Sequence, residues 1–306
     1  MPFADKKRRL YREAGDLVFT LEVPASQFDM GDSQFAPTGL YARSKFSLED
    51  RLHNTESALA HRLPTVGQSL KPTTSMEAVI IGAGPSIDGQ IDNLKAIKTP
   101  IFCIDRMCEW AQTHGIVPDY VVVLDASEDV AEFVKHGPLT AQYLVATQCT
   151  EDTFNALQER SCYIYSPIDL DIDESQLEEY WRSHGYPAPY FINAGPSVVH
   201  ASMALALGLN YRRLHVFGFD CHVGNGLYAG SKERPIDFIK LKVSDRIFHT
   251  TMPFIMFADR FISLVQAAQR FKMIDSVQIY GDSLAGYLFQ RHIDGSRNGG
   301  KRTYSE

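Results

Sequence analysis

An open, mostly parallel α/β sheet with helices on both faces is the fold class this sequence predicts, and three features predict it. From Glu77 onward, short β-branched apolar runs alternate with helical stretches, the rhythm of successive βα units. Several of those runs are continuously apolar instead of alternating, as strands covered on both faces are. One run leads directly into a glycine-rich turn, GAGPS at 82–86, and the string AGPS returns at 194–197 ahead of a long helix of small residues.

The candidate strands, in order, are AVIIGA, PIFCID, YVVVLDA, YLVATQ, CYIYSP, RLHVFGFD and SVQIYGD. Between them lie candidate helices: the segment after Pro85, the segment around CEWAQTHG, then EDTFNALQER and SVVHASMALALG. A last helix, ADRFISLVQAAQRFKM, places Phe261, Leu264, Val265 and Ala268 at helical spacing, a stripe suited to lie against the sheet. Ahead of this unit, residues 1–75 read as an N-terminal extension or accessory region. It opens with a charged, helix-like DKKRRLYREAGDL, passes through LVFTLEV and a polar stretch, and ends in a helix, SLEDRLHNTESALAHRL. In that helix Ser47 and Asp50 approximate a capping box and Pro64 marks the stop. The domain is expected to span 76–290, and the polar, Gly-rich tail 291–306 is expected to be disordered.

With 306 residues, 44% hydrophobic and 22% charged, the chain has the composition of an ordinary globular protein with a sizeable core. Its net charge of −7 argues against a general affinity for nucleic-acid backbone, which needs a surplus of Lys and Arg. The five cysteines form no CxxC pair, so neither a zinc knuckle nor a disulfide framework is expected, and Cys103 and Cys162 read as buried thiols. No stretch approaches the roughly 20 apolar residues of a bilayer span, and no apolar segment follows the basic N-terminal run. The expectation is a cytoplasmic protein.

Chemistry is expected at the carboxyl ends of the strands, where an open α/β sheet meets its ligands. Gly82 and Gly84 let the backbone approach a ligand, Ala83 lies between them, Pro85 can start a helix, and the Ser86 hydroxyl can donate to a phosphate or ribose. The dinucleotide fingerprint GxGxxG is incomplete, because Ile87 stands where its third glycine would be. Asp105 and Asp125 end adjacent strands and could hold a ribose or a metal, or simply cap the next helix. Pro118 and Asp119 read as structural. After Asp220 comes a Gly-rich loop carrying His222, Asn225 and Tyr228, polar enough at that edge to suggest function. His249, between apolar residues, could be a base or a satisfied structural histidine.

Taken together and in this order, GAGPSID, GIVPDYVVVLD, GPSVVHASMALALG and HVFGFD with its loop resemble one superfamily. It contains the MptE-like 6-hydroxymethylpterin diphosphokinases, the Maf flagellin glycosyltransferases and the bacterial sialyltransferases, and the resemblance covers about residues 77–283. It implies a Rossmann-like fold and a transferase. In the sialyltransferase branch a GNGPS turn cradles the donor nucleotide, and Gly82, Ala83, Gly84, Pro85 and Ser86 match it with Ala83 replacing Asn. Gly195, Pro196 and Ser197 match a second turn at the nucleotide, Tyr228 matches a tyrosine on the donor phosphate, and His249 is the candidate base. The donor implied is a CMP-sugar or nucleoside diphosphate sugar. The diphosphokinase branch implies instead diphosphate transfer from ATP with Mg2+ held by Asp125 and Asp220.

Sugar transfer from a nucleotide donor to an acceptor hydroxyl is the leading expectation, with diphosphate transfer as the alternative. A nucleotide-binding protein without catalysis is the second alternative. Asp105, Asp220, His222 and Asn225 are expected to border the nucleotide along with the two turns. The helical extension makes a homo-oligomer plausible.

Overall fold

The computed structural model describes residues 8–14, 17–23, 46–168, 174–224, 226–229 and 238–297. Its first element corrects the helix-like reading of the N-terminus. Arg8–Ala14 is a strand, β1, paired antiparallel with β2, Leu17–Val23. Gly-Asp between the charged run RRLYREA and the apolar, β-branched run LVFTLEV is a hairpin signal, and tertiary pairing overrides the helical charge pattern: β2 pairs in turn with β10, Ile239–Val243, which turns back into β11, Arg246–Thr250. The result is a four-stranded sheet in the order β1-β2-β10-β11.

The extension then crosses to the main body. Helix α1, Leu48–Ala60, carries the expected capping box: the Ser47 hydroxyl accepts from the Asp50 amide at 3.1 Å, and the Asp50 carboxylate accepts from the Ser47 amide at 3.1 Å. After the short helix α2, Val66–Ser69, the chain enters the large sheet. Ala58, Leu59 and Val66 belong to the same apolar core as that sheet's strands.

All seven apolar runs are strands of one eight-stranded sheet. They are β3 (Glu77–Ile81), β4 (Ile101–Ile104), β5 (Tyr120–Val123), β6 (Gln142–Ala146), β7 (Ser161–Pro167), β9 (Arg213–Phe217) and β12 (Ser276–Tyr280). The eighth, β8, is only Phe191–Ile192. The order is β12-β9-β3-β4-β5-β6-β7-β8, every neighbouring pair parallel. Helices α3 (Ile91–Ala96), α4 (Cys108–Thr113), α5 (Asp129–Lys135), α6 (Glu151–Ala156) and α7 (Glu174–Ser183) lie between successive strands. Helix α8, Val198–Gly208, crosses back under β3, β4 and β5 to deliver the chain to β9. Its run of Ala, Ser and Gly permits that close crossing.

Helix α9, Met252–Arg270, starts earlier than the periodicity alone suggests, because Thr251 caps it by accepting from the Phe254 amide. Ala258, Phe261, Val265 and Ala268 are its buried stripe. Helix α10, Leu284–Arg297, runs into the stretch expected to be disordered, and residues 298–306 lie outside the described residues. The core is the sheet interior: Val79, Ile80, Ile81, Phe102, Val121, Val122 and Leu144 are fully buried. All five cysteines are free and buried. Asp119 is structural as expected, its carboxylate accepting from the Ile101 amide at 2.8 Å and locking β5 to β4.

Candidate active-site crevice

The strand order fixes where a crevice must open. From β3 the chain marches through β4 to β8 in one direction, then returns to place β9 on the other side of β3. The connections leaving β3 and β9 therefore diverge at their carboxyl ends, the switch point at which such sheets bind ligands. Gly82–Ser86 leaves β3 there, and Gly218–Asp220 leaves β9.

These two segments touch backbone to backbone. The Gly82 amide donates to the Phe217 carbonyl at 2.8 Å and the Gly84 amide to the Gly218 carbonyl at 2.7 Å. A Cβ on Gly82 would stand 2.6 Å from the Gly218 oxygen, and one on Gly84 2.5 Å from the Asp220 Cγ. Gly218 itself has φ +64°, which a side chain would strain. The glycines thus serve first the approach of two turns to each other.

The Asp220 carboxylate sits inside the first turn. One oxygen accepts from the Ser86 amide at 2.7 Å, the other from the Ser86 hydroxyl at 2.5 Å. Ser86, expected to donate to a ligand, donates both protons internally in this geometry. Burial raises the Asp220 pKa, while the two Ser86 bonds and the nearby His222 oppose that rise.

The helix that the second turn opens lies against the first turn. A Cβ on Gly82 would also meet Val199 Cγ2, in the first turn of α8, at 2.9 Å. Ser197 Oγ is 2.7 Å from His200 Nδ1, and His200 Nε2 is 3.1 Å from the Phe257 carbonyl. Gly195 has φ +60°, and a Cβ there would press on His200 at 2.8 Å. Burial lowers the His200 pKa to about 4, so the ring is neutral at physiological pH.

Residues 221–224 and 226–229 lie against the first turn, Gly224 beside Pro85 and Ala229 beside Ala83. The far end of this loop is pinned by the Ala229 amide donating to the Ala83 carbonyl at 2.8 Å. Its near end is held by β11, where the Thr250 hydroxyl donates to the Cys221 carbonyl at 2.7 Å and the Val223 amide to the His249 carbonyl at 2.6 Å. Tyr228 reaches from this loop to the Arg106 guanidinium, which lies 4.5 Å from the Tyr228 ring and 4.3 Å from that of Phe133. Arg106 follows β4 at the same sheet edge, so a cation clamped by two rings overlooks the crevice. In the sequence Arg106 is marked only as a basic residue directly after a strand-end Asp.

His222 lies two residues beyond Asp220, with Nδ1 3.3 Å from the Asp220 carbonyl and its ring edge-on to Phe248. His249 is elsewhere. Strand alternation turns Phe248 and Thr250 inward and leaves the His249 ring exposed beside Phe238, at 4.8 Å. Asn225 falls outside the described residues.

Asp105 is buried and accepts from the Arg106 amide at 2.7 Å. Burial, reinforced by the charge of Asp125, raises its pKa to about 7. Asp125 is exposed. Among the described residues no group of three His, Cys, Asp or Glu side chains is arranged to hold a metal ion. Each Asp220 oxygen accepts one Ser86 bond and keeps a further lone pair, and the charge of Asp125 adds to the rise at Asp105.

Together the strand order and the connections define a doubly wound α/β protein with its switch point between β3 and β9. The family model of 6-hydroxymethylpterin diphosphokinase MptE-like proteins matches residues 50–226, more than half of the 306 residues, and the chain belongs to that family. No curated protein matches it. Among solved structures it is similar to the MAf glycosyltransferase from Magnetospirillum magneticum AMB-1, at 14% identity and TM-score 0.56, over 82% of this chain and 42% of that one. At that identity the likeness is one of fold, and the chain spans less than half of that protein's length. A protein from Lactobacillus plantarum aligns at 15% identity and TM-score 0.29, over 68% of this chain and 62% of that one, too loosely to carry an argument. The resemblance to MptE-like and Maf proteins is thus borne out, and the family's name suggests a transferase. Among the described residues no helix is long and apolar enough to cross a membrane.

Proposed function

We propose that the chain is a nucleotide-dependent transferase that moves a sugar from a nucleotide-sugar donor to an acceptor hydroxyl. The observation that carries this reading is the close packing of the first glycine turn at the switch point, Gly82 against the Gly218 backbone and against Val199 at the start of α8. Arg106 and Tyr228 at the rim suit the donor phosphate, one by charge and bidentate donors, the other by its hydroxyl. In the transfer the acceptor oxygen bonds to the sugar's anomeric carbon as that carbon's bond to the phosphate oxygen breaks. The acceptor proton passes to an imidazole, and the nucleotide leaves with the bond's electrons.

Two histidines compete for the base. His249 is the candidate the resemblance supplies, and His222 stands nearer the crevice through Asp220. His222→Asn and His249→Asn, assayed side by side for transfer and for donor binding, separate them: the base variant loses turnover by about 100-fold or more and still binds donor. Thermal stabilisation by CMP, CMP-sugar or a nucleoside diphosphate sugar, with little dependence on Mg2+, is the expected result; stabilisation by none of them overturns the reading.

A second reading, diphosphate transfer from ATP to a hydroxymethyl group, is favoured by the family's name and by the two neighbouring carboxylates Asp105 and Asp125. If only ATP with Mg2+ stabilises the protein and Asp125→Asn abolishes that effect, this second reading replaces the first. Binding of a nucleotide with turnover of none would leave a non-catalytic binding protein.

A further inference from the structure

His200 is buried, belongs to no step above, and fixes the position of one proton. A carbonyl oxygen only accepts, so the contact with Phe257 requires the hydrogen of the neutral ring to be on Nε2. Nδ1 then carries a lone pair, and the only proton available between it and Ser197 is that of the hydroxyl, which donates to Nδ1 across 2.7 Å. Burial holds the ring neutral well below pH 7, so this arrangement persists under physiological conditions. Ser197 opens α8 beside the first turn, and its side chain caps no backbone amide of that helix. With its proton committed, the Ser197 oxygen offers only lone pairs to anything in the crevice.

We propose that His200 is a positioning residue that makes Ser197 a hydrogen-bond acceptor, so that the second turn binds a hydroxyl or amino group of the donor, on its ribose or base, and not its phosphate. Phosphate oxygens are acceptors, and two acceptors facing each other repel. The proposal rests on the nucleotide reading for the identity of the ligand, but not for the direction of the Ser197 bond.

Two measurements test it. Long-range 15N–1H correlation spectra of the wild-type protein should show His200 with an unprotonated Nδ1 and a protonated Nε2 at pH 7; a proton on Nδ1 overturns the proposal with or without a ligand. Calorimetry of wild type and Ser197→Ala then compares CMP, UMP, AMP and GMP with their 2′-deoxy and 3′-deoxy forms and with inorganic diphosphate. Ser197→Ala should weaken the preferred nucleotide about 3- to 10-fold, erase discrimination against the form lacking one hydroxyl or, between CMP and UMP, the amino group, and leave diphosphate binding unchanged. An equal loss for diphosphate, or no loss for any nucleotide, overturns it. Wild-type protein that binds none of these nucleotides would sink the nucleotide reading alone, and the spectra would still decide the direction of the bond.

Discussion

The two AGPS turns have the same four residues and opposite internal partners. In the first, Ser86 is held by the Asp220 carboxylate, an acid 134 positions away in the segment that leaves β9. In the second, Ser197 is held by the neutral imidazole of His200, three positions away on the helix it opens. A string of small residues therefore specifies a turn and leaves the chemistry to whichever side chain the fold brings up to its serine. The first turn depends on long-range assembly of the sheet, the second on its own helix.

That contrast is most directly broken at Gly218. Gly218→Ala adds a Cβ against the Gly82 backbone at a φ of +64°, and left-handed strain plus the backbone collision should cost about 3–5 kcal/mol. Urea unfolding would measure it, and an alanine variant within 1 kcal/mol of wild type would show that the turns are not tightly apposed.

The two sides should also answer pH in opposite senses. Asp105, at the edge next to the first turn, keeps its proton up to about pH 7 in the fold but only to its ordinary value of 3.8 when unfolded. Its contribution is full below pH 3.8 and is lost as pH rises toward 7, so Asp105→Asn should raise stability at pH 8 by up to about 4 kcal/mol and little at pH 4. His200 behaves in reverse: its fold-state pKa of about 4 lies below the ordinary 6.5, so stability is lost as pH falls from 6.5 to 4. His200→Gln should flatten that acid limb by up to about 3 kcal/mol. Thermal melts from pH 4 to pH 8 would show either limb missing.

The smallest effect is expected from Asp220→Asn. The carboxamide oxygen still accepts from the Ser86 amide and the buried charge disappears, so the net loss should be about 1 kcal/mol by denaturant unfolding. A much larger loss would mean that the negative charge itself organises the first turn.

Most of the large sheet was legible because its strands are continuous apolar runs ended by Gly or Asp, and α1 because Ser47 and Asp50 mark its start. Strand β8 was not, since two residues, Phe191 and Ile192, make no pattern. The N-terminal hairpin is masked by the charge of its first strand, whereas its partner β10 carries a readable alternation of Ile239, Leu241 and Val243 with Lys240 and Lys242. At the crevice, the glycines and Asp220 were legible as residues of interest, but the bond from Ser86 to Asp220 depends on strand order, which no local window encodes. Arg106 escaped for a similar reason: its stacking on Tyr228 joins two segments far apart in the chain.

The pairing of β2 with β10 has a consequence for how the chain is made. Strand β2 precedes β10 by most of the large sheet, so Leu21 must wait for Leu241 before the four-stranded sheet can close. Until then the β2 edge of the hairpin is an open template for other chains. Loss of β1 and β2 would expose the same hazard in reverse, leaving one edge of β10 unpaired, so yield and solubility should depend on these two strands more than their distance from the crevice suggests.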